Sequence, residues 1–67
     1  MEIIRVGDMT VKDAVSGENC YIAVNTYQNV IGLIVSQEEN GDTEIFMKVS
    51  EIKALIEWLQ KAVRKVS

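Results

Sequence analysis

Aromatic, amide and basic side chains occur at two places in this chain where their types and spacing suit contact with a ligand. Tyr21, Asn25 and Tyr27 all stand at odd-numbered positions, so a strand through them places all three on one face. Tyrosine combines a large ring with a hydroxyl group, and an amide both donates and accepts hydrogen bonds. Farther along the chain, the indole of Trp58 is a side chain typical of protein interfaces, and the adjacent cations Arg64 and Lys65 can contact an anion. We expect the contact residues to be Tyr21, Asn25, Tyr27, Trp58, Arg64 and Lys65.

Residue types that catalyse reactions or bind metals are scarce. The chain has no His to activate its single cysteine, Cys20, which we expect to be a small buried hydrophobe. The four glycines are too scattered to form a phosphate-binding loop. An acidic cluster lacks the ligand spacing of a calcium loop and is typical of a charged hairpin tip. That cluster is Glu38, Glu39, Asp42 and Glu44. We expect neither catalysis nor a metal or cofactor.

Six segments have the pattern of regular structure. We predict a first strand over residues 2–6, stopped by Gly7-Asp8, and then an ambiguous segment, 10–17. There a capping-box spacing competes with strand alternation, and we favour an irregular edge strand. Strands follow at 20–26, 30–37 and 43–49, separated by turns at 27–29 and at Asn40-Gly41. Ser50 is the predicted N-cap of a helix over 51–66.

These elements predict one α+β domain over residues 1–67. The architecture is an antiparallel meander of four to five strands with one C-terminal helix packed on one face. The helix presents an apolar stripe at helical spacing, which we call the helix stripe. Its members are Ile52, Leu55, Ile56, Leu59, Val63 and Val66.

Turn lengths predict the strand register and so the two faces of the sheet. A two-residue turn at Gln28-Asn29 places Val24 opposite Leu33, and one at Asn40-Gly41 places Val35 opposite Phe46. The face expected beneath the helix, as core, holds Ile22, Val24, Ile31, Leu33, Val35 and Phe46. The opposite face holds Tyr21, Ala23, Asn25, Tyr27, Val30, Gly32, Ile34, Ser36, Ile45 and Met47.

Residues 30–35 are apolar at successive positions, so they are apolar on both faces of a strand. One helix covers one face, and the other must meet a second copy, a different partner or a ligand, or be closed by residues 1–17. Trp58 either packs on its own sheet or forms a second contact surface with Ala54 and Ala62. We expect a homo-oligomer, joined through the open sheet face or this helix shoulder.

Charge is distributed unevenly along the chain. Residues 1–49 carry three basic and eight acidic side chains, whereas residues 50–67 carry four basic and two acidic ones. An acidic sheet does not favour nucleic acid, so we expect a protein or a small anionic ligand as partner. Arg64 and Lys65 are the candidate anion contacts, although cations also complement the C-terminal end of a helix. No membrane span or secretory pattern is present, and a cytoplasmic location is expected.

The meander ending in Asn40-Gly-Asp-Thr-Glu-Ile-Phe-Met-Lys-Val, with the closing helix Ser50-Glu-Ile-Lys-Ala-Leu-Ile-Glu-Trp-Leu-Gln-Lys, resembles compact accessory proteins encoded by bacteriophages. The likeness is one of size and architecture over most of the chain. It implies a non-catalytic binding module, acting as a homo-oligomer, that counters bacterial immunity by sequestering a nucleotide-type ligand or by blocking a host protein.

The order of sheet and helix also resembles transcriptional coactivators that bind single-stranded DNA with a curved sheet followed by a dimerising helix. The helix containing Trp58 fits this resemblance. The acidic sheet departs from it, because such sheets alternate basic and aromatic side chains along a phosphate backbone. Single-stranded nucleic-acid binding is therefore the alternative function.

Overall fold

Four strands form one antiparallel meander in the computed structural model, which describes residues 2–67. The strands lie in the sheet order β1-β2-β3-β4, and a single helix follows the last of them. The predicted α+β fold class is confirmed. The elements are β1 (Ile4–Lys12), β2 (Asn19–Tyr27), β3 (Val30–Gln37), β4 (Gly41–Lys48) and α1 (Val49–Val66).

The N-terminal segments predicted as two separate strands form the single strand β1. Gly7-Asp8 is not a turn, because the strand continues through it with a bulge: Arg5 lies opposite Asn25 and Gly7 lies opposite Val24. In the described part of residues 1–17, the chain therefore widens the sheet by an edge strand. It does not form a second layer over either face.

The reversal between β1 and β2 is built around one aspartate. The Asp13 carboxylate accepts hydrogen bonds from the backbone N–H groups of Val15 and Ser16, at 2.8 and 3.0 Å. Gly17 then takes a φ of 78°, a conformation that suits glycine. The capping-box spacing in this segment thus belongs to a tight loop of the Asx type.

The β2–β3 hairpin matches its prediction. Tyr27 pairs with Val30 across a two-residue turn, in which Gln28 has a φ of 53°. The resulting register places Val24 opposite Leu33, as expected from the turn length. This part of the sheet follows from local turn geometry.

The register of the β3–β4 hairpin is shifted from the predicted register by an odd number of residues. Gln37 pairs with Gly41, so the loop contains residues 38–40, and Gly41 has a φ of 73°. A three-residue hairpin loop is a common alternative to the two-residue turn, and the left-handed conformation directly after this loop suits glycine. Phe46 therefore lies opposite Gly32, and the prediction that it faces Val35 is wrong.

This shift exchanges the faces of β4, because successive side chains point to opposite sides. Phe46 joins the tyrosines, and Ile45 and Met47 leave them. We call one side the apolar face: Met9, Ile22, Val24, Ile31, Leu33, Val35, Ile45 and Met47. We call the other the mixed face: Arg5, Asp8, Lys12, Tyr21, Ala23, Asn25, Tyr27, Val30, Gly32, Ile34, Ser36, Asp42, Glu44, Phe46 and Lys48.

The helix begins directly after β4. The Lys48 backbone N–H donates to the Glu51 carboxylate at 2.8 Å, so the side chain that caps this end reaches back from the first turn. The prediction that Ser50 is the N-cap is wrong, because Ser50 lies within the helix. Glu57 and Lys61 pair one turn apart at 3.7 Å.

The helix packs weakly on its own sheet. It contacts only β3 and β4 among the described elements, and no residue of the helix is fully buried. Ala23 is the one buried apolar side chain in residues 2–67, whereas Ile22, Val35 and Phe46 are 36–46% exposed. The prediction that these three form a core beneath the helix stripe is wrong for a single chain.

Candidate functional site

A row of paired residues crosses the sheet on the mixed face. Arg5, Asn25, Gly32 and Phe46 lie opposite one another on β1 to β4. Asn25 is only 5% exposed and makes two side-chain hydrogen bonds. Its carbonyl oxygen accepts from Arg5 Nε, and its amide donates to Glu44 Oε2 at 3.2 Å. The amide therefore links a cation on β1 to a carboxylate on β4.

Arg5 is also engaged by its other neighbours. Its Nη1 donates to Asp8 Oδ2 at 3.2 Å and to the Tyr21 hydroxyl, which itself donates to Asp8 Oδ2 at 2.8 Å. The guanidinium carbon lies 5.9 Å from the centre of the Tyr21 ring. Arg5, Asp8 and Tyr21 thus form a closed cluster in which the charges of the first two residues offset each other.

A groove of about 470 Å³ opens at the end of the mixed face near the β2–β3 turn. Tyr27 and Phe46 meet there edge to face, with ring centres 6.3 Å apart and ring planes at 64°. The remaining lining is aliphatic except for one carboxylate. The lining residues are Ile3, Tyr27, Val30, Glu44 and Phe46.

Gly32 sets the floor on which Phe46 and Glu44 rest. A Cβ atom added at Gly32 would lie 2.9 Å from Phe46 Cε1 and 3.3 Å from Glu44 Oε2. The first distance is too short for two carbon atoms, so a side chain at this position forces the ring to move. Glycine is therefore required for the observed position of the ring.

Glu44 is held from one side only. Its Oε2 accepts the hydrogen bond from Asn25, and Oε1 accepts none from residues 2–67. No lysine or arginine of the described chain lies within 4.0 Å of this carboxylate. The groove consequently combines aromatic and aliphatic walls with one negative charge.

The six residues predicted as contacts occupy separate places. Tyr21 and Asn25 are joined through Arg5, and Tyr27 lies in the groove beside Phe46. Trp58, Arg64 and Lys65 lie on the helix, with Trp58 64% exposed. Packing of Trp58 on its own sheet, one of its two predicted roles, is therefore wrong.

A second groove of about 510 Å³ runs along the helix and is largely apolar. Arg64, in the last turn of the helix, lies beside it. This groove follows the helix stripe, which the sheet leaves open. Its lining residues are Ile56, Leu59, Gln60, Val63 and Arg64.

Several residues of the site were missed by sequence reasoning. Arg5 and Glu44 become part of it only through strand register, and no local pattern marks them, whereas Gly32 was predicted on the mixed face. Phe46 was assigned to the opposite face, because a three-residue loop replaces the predicted two-residue turn. If a three-residue loop had been considered beside the two-residue turn at Asn40-Gly41, Phe46 would have been predicted on the same face as Tyr27.

The acidic tip and Cys20 lie at the far end of the sheet. Glu38 accepts from the Asn19 amide at 3.1 Å, and Glu18 accepts from the Glu39 backbone N–H at 3.1 Å. Cys20 is half-buried, with Sγ 3.6 Å from the Glu18 carbonyl oxygen. Residues 2–67 contain no group of three or more His, Cys, Asp or Glu side chains placed to hold a metal ion.

Asp13, in the β1–β2 loop, has a displaced pKa. The backbone N–H of Ser16, followed by that of Val15, donates to its carboxylate and lowers the pKa below the ordinary value of 3.8. Hydrogen bonds of this kind stabilise the ionised form. The loop is therefore held best when Asp13 is charged.

Comparison of the chain with protein-family models, with curated proteins and with solved structures finds no match in any of the three. The helix of residues 49–66 lacks the combination of length and apolar character needed to cross a membrane, and the described chain has no other helix.

Proposed function

We propose that this protein is a non-catalytic binding module that acts as a homo-oligomer. The observation that carries the proposal is the amount of surface left open by one chain. The accessible surface is 5448 Å². A compact monomer of 7.5 kDa exposes about 4,250 Å². The chain thus exposes about 1,200 Å² more than its mass predicts, which favours a further partner.

The open surface is apolar in two places that can meet a second copy. On the apolar face, Met9 and Ile45 are more than half exposed. On the helix stripe, Leu59 and Val63 are also more than half exposed. Monomeric proteins rarely expose contiguous apolar patches above a few hundred Å². A two-fold dimer that covers the excess buries about 2,400 Å² in total, within the range of obligate homodimers. A second copy is therefore the occupant that we propose.

In such an assembly the mixed face stays open, because it lies on the other side of the sheet. From the resemblance to phage accessory proteins, we infer the function of this assembly: it sequesters a nucleotide-type ligand or blocks a host protein in the cytoplasm. Arg64 and Lys65, both exposed in the last helical turn, are the residues that would contact an anionic ligand. Helix grooves between copies would place apolar surface beside these cations.

Light scattering after size exclusion tests the assembly. We expect a dimer or larger species at tens of micromolar, since the apolar surfaces are present in every chain. A mass of 7.5 kDa under these conditions contradicts the proposal.

Thermal-shift measurements with cyclic and linear nucleotides test the ligand. A ligand at about 100 times its Kd stabilises by about 2.7 kcal/mol, which is a measurable shift in Tm. We expect the shift to be lost in Arg64→Gln and kept in the matched control Lys53→Gln, a cation near the other end of the helix. If no nucleotide shifts the Tm, the result favours a protein as the target.

Binding of single-stranded nucleic acid is a second candidate, favoured by the observed register. Phe46 shares the mixed face with Tyr21 and Tyr27, and that face also carries the cations Lys12 and Lys48, besides Arg5, which is paired with Asp8. Rings for base stacking and cations for phosphates are what such proteins combine. Fluorescence anisotropy with a labelled oligothymidylate tests this function. Nucleic-acid binding predicts an affinity that falls steeply with salt, whereas no binding at low salt contradicts it.

A further inference from the structure

The groove near the β2–β3 turn has the chemistry of a receptor for a cation. Tyr27 and Phe46 stand at 64° to each other, so the groove is bordered by two rings in different orientations. The face of an aromatic ring carries partial negative charge and attracts a cation within about 6 Å of its centre. Rings set at a steep angle can contact one cation from two directions.

Glu44 supplies the one full charge among the lining residues, and it is negative. Its position is maintained by the 5% exposed amide of Asn25, which is itself anchored by Arg5. Glu44 Oε1 stays open to a ligand, since residues 2–67 donate no hydrogen bond to it. Arg5 does not neutralise Glu44, because its Nη1 pairs with Asp8.

The remaining lining selects among cations. Ile3 and Val30 are aliphatic, so they suit methyl or methylene groups and offer no ligands to a hydrated inorganic ion. An anion is disfavoured by Glu44 and by the ring faces together. The volume of about 470 Å³ lies within the range of small-molecule sites.

We propose that this groove binds an organic ammonium group, with its alkyl substituents against Tyr27 and Phe46 and its positive charge beside Glu44. This inference goes beyond the proposed function, because one chain forms the whole groove without any assembly. The same chemistry occurs in free small molecules and in alkylated lysine side chains of proteins. Both sources are therefore arms of the test.

Nuclear magnetic resonance titration of the full chain with choline tests the inference. We expect saturable shifts at Tyr27, Val30 and Phe46. The neutral control is 3,3-dimethylbutan-1-ol, which has the same shape without the charge, and we expect it to bind about tenfold more weakly. Equal binding of choline and the neutral analogue overturns the proposal.

Two charge variants separate a site from a general effect of charge. Glu44→Gln keeps a similar shape, and we expect it to weaken choline binding about tenfold while leaving the neutral analogue unchanged. The matched control Asp42→Asn removes a charge from the same strand and face outside the groove, and we expect no change. Equal weakening by both variants overturns the proposal.

A short peptide containing trimethyllysine forms the second ligand arm. Saturable binding of the peptide or of choline supports recognition of an ammonium group, and the tighter of the two identifies the source. Failure of both overturns the inference. Because the groove lies within one chain, this result is independent of the mass found by light scattering, so the two proposals fail separately.

Discussion

Replacing Leu59 with glutamate tests whether the helix stripe meets a second copy. Leu59 lies near the middle of the stripe and is 57% exposed in the single chain. A charge at an exposed position of a monomer changes stability by no more than about 0.5 kcal/mol. At a buried interface the same charge loses its hydration, which weakens association. The two arrangements therefore predict very different effects of Leu59→Glu.

The magnitude follows from the surface that the side chain has left to bury. A fully buried leucine contributes about 1.5 to 3 kcal/mol, so the exposed 57% of Leu59 represents about 0.9 to 1.7 kcal/mol. A two-fold dimer contains two such side chains, so the loss is about 1.7 to 3.4 kcal/mol per dimer. Because about 1.4 kcal/mol equals a factor of ten, the Kd should rise by about 15- to 250-fold. Burial of the carboxylate increases this further.

Sedimentation velocity over a concentration series measures this Kd directly. Lys61→Gln is the matched control, since it changes the net charge by the same one unit and Lys61 points about 160° away from Leu59 around the helix, outside the helix groove. We expect Lys61→Gln to change the Kd only slightly. Circular dichroism of both variants checks that the helix is retained.

One outcome refutes the reasoning. If Leu59→Glu and Lys61→Gln dissociate with the same Kd as the unmodified chain, the helix stripe is not the interface. The second copy must then meet the apolar face instead, or another partner must cover the excess surface.

Three further predictions concern the groove, the β1–β2 loop and the indole. In Gly32→Ala the new methyl group meets Phe46 at 2.9 Å, so we expect the ring to turn away and stability to fall by about 1 to 2 kcal/mol in urea titrations. An unchanged midpoint contradicts this. Asp13 has a lowered pKa, so its contribution is present above 3.8 and is lost as pH falls through the folded-state pKa. The destabilisation caused by Asp13→Ala should therefore disappear in acid, and a difference independent of pH contradicts the assignment. Trp58 is the single tryptophan, and we expect its emission to shift to the red on dilution; a constant spectrum places it outside the interface.

Much of the fold could be predicted because it rests on short-range patterns. Strand β3 was predicted with its observed bounds, and β2 was predicted to within one residue at each end. The turn at Gln28-Asn29 determined their mutual register, since a two-residue turn allows one pairing. The helix stripe followed from helical spacing.

The candidate site could be predicted only in part. Tyr21, Asn25 and Tyr27 share a face because alternation along one strand requires it. Their partners Arg5, Glu44 and Phe46 come from other strands, so their places depend on a bulge and on a loop length. Asn40-Gly41 is compatible with loops of two or three residues, and the choice decides which face Phe46 occupies.

The amino-acid sequence by itself located strands β2 to β4 and the helix, and it showed that apolar surface exceeds what one helix covers. Only the tertiary structure decided where Phe46 lies and how little of the helix stripe packs on the sheet. The physical reason is the range of the interactions. Propensity and periodicity act within a few residues, whereas register and packing depend on backbone hydrogen bonds and contacts between distant segments.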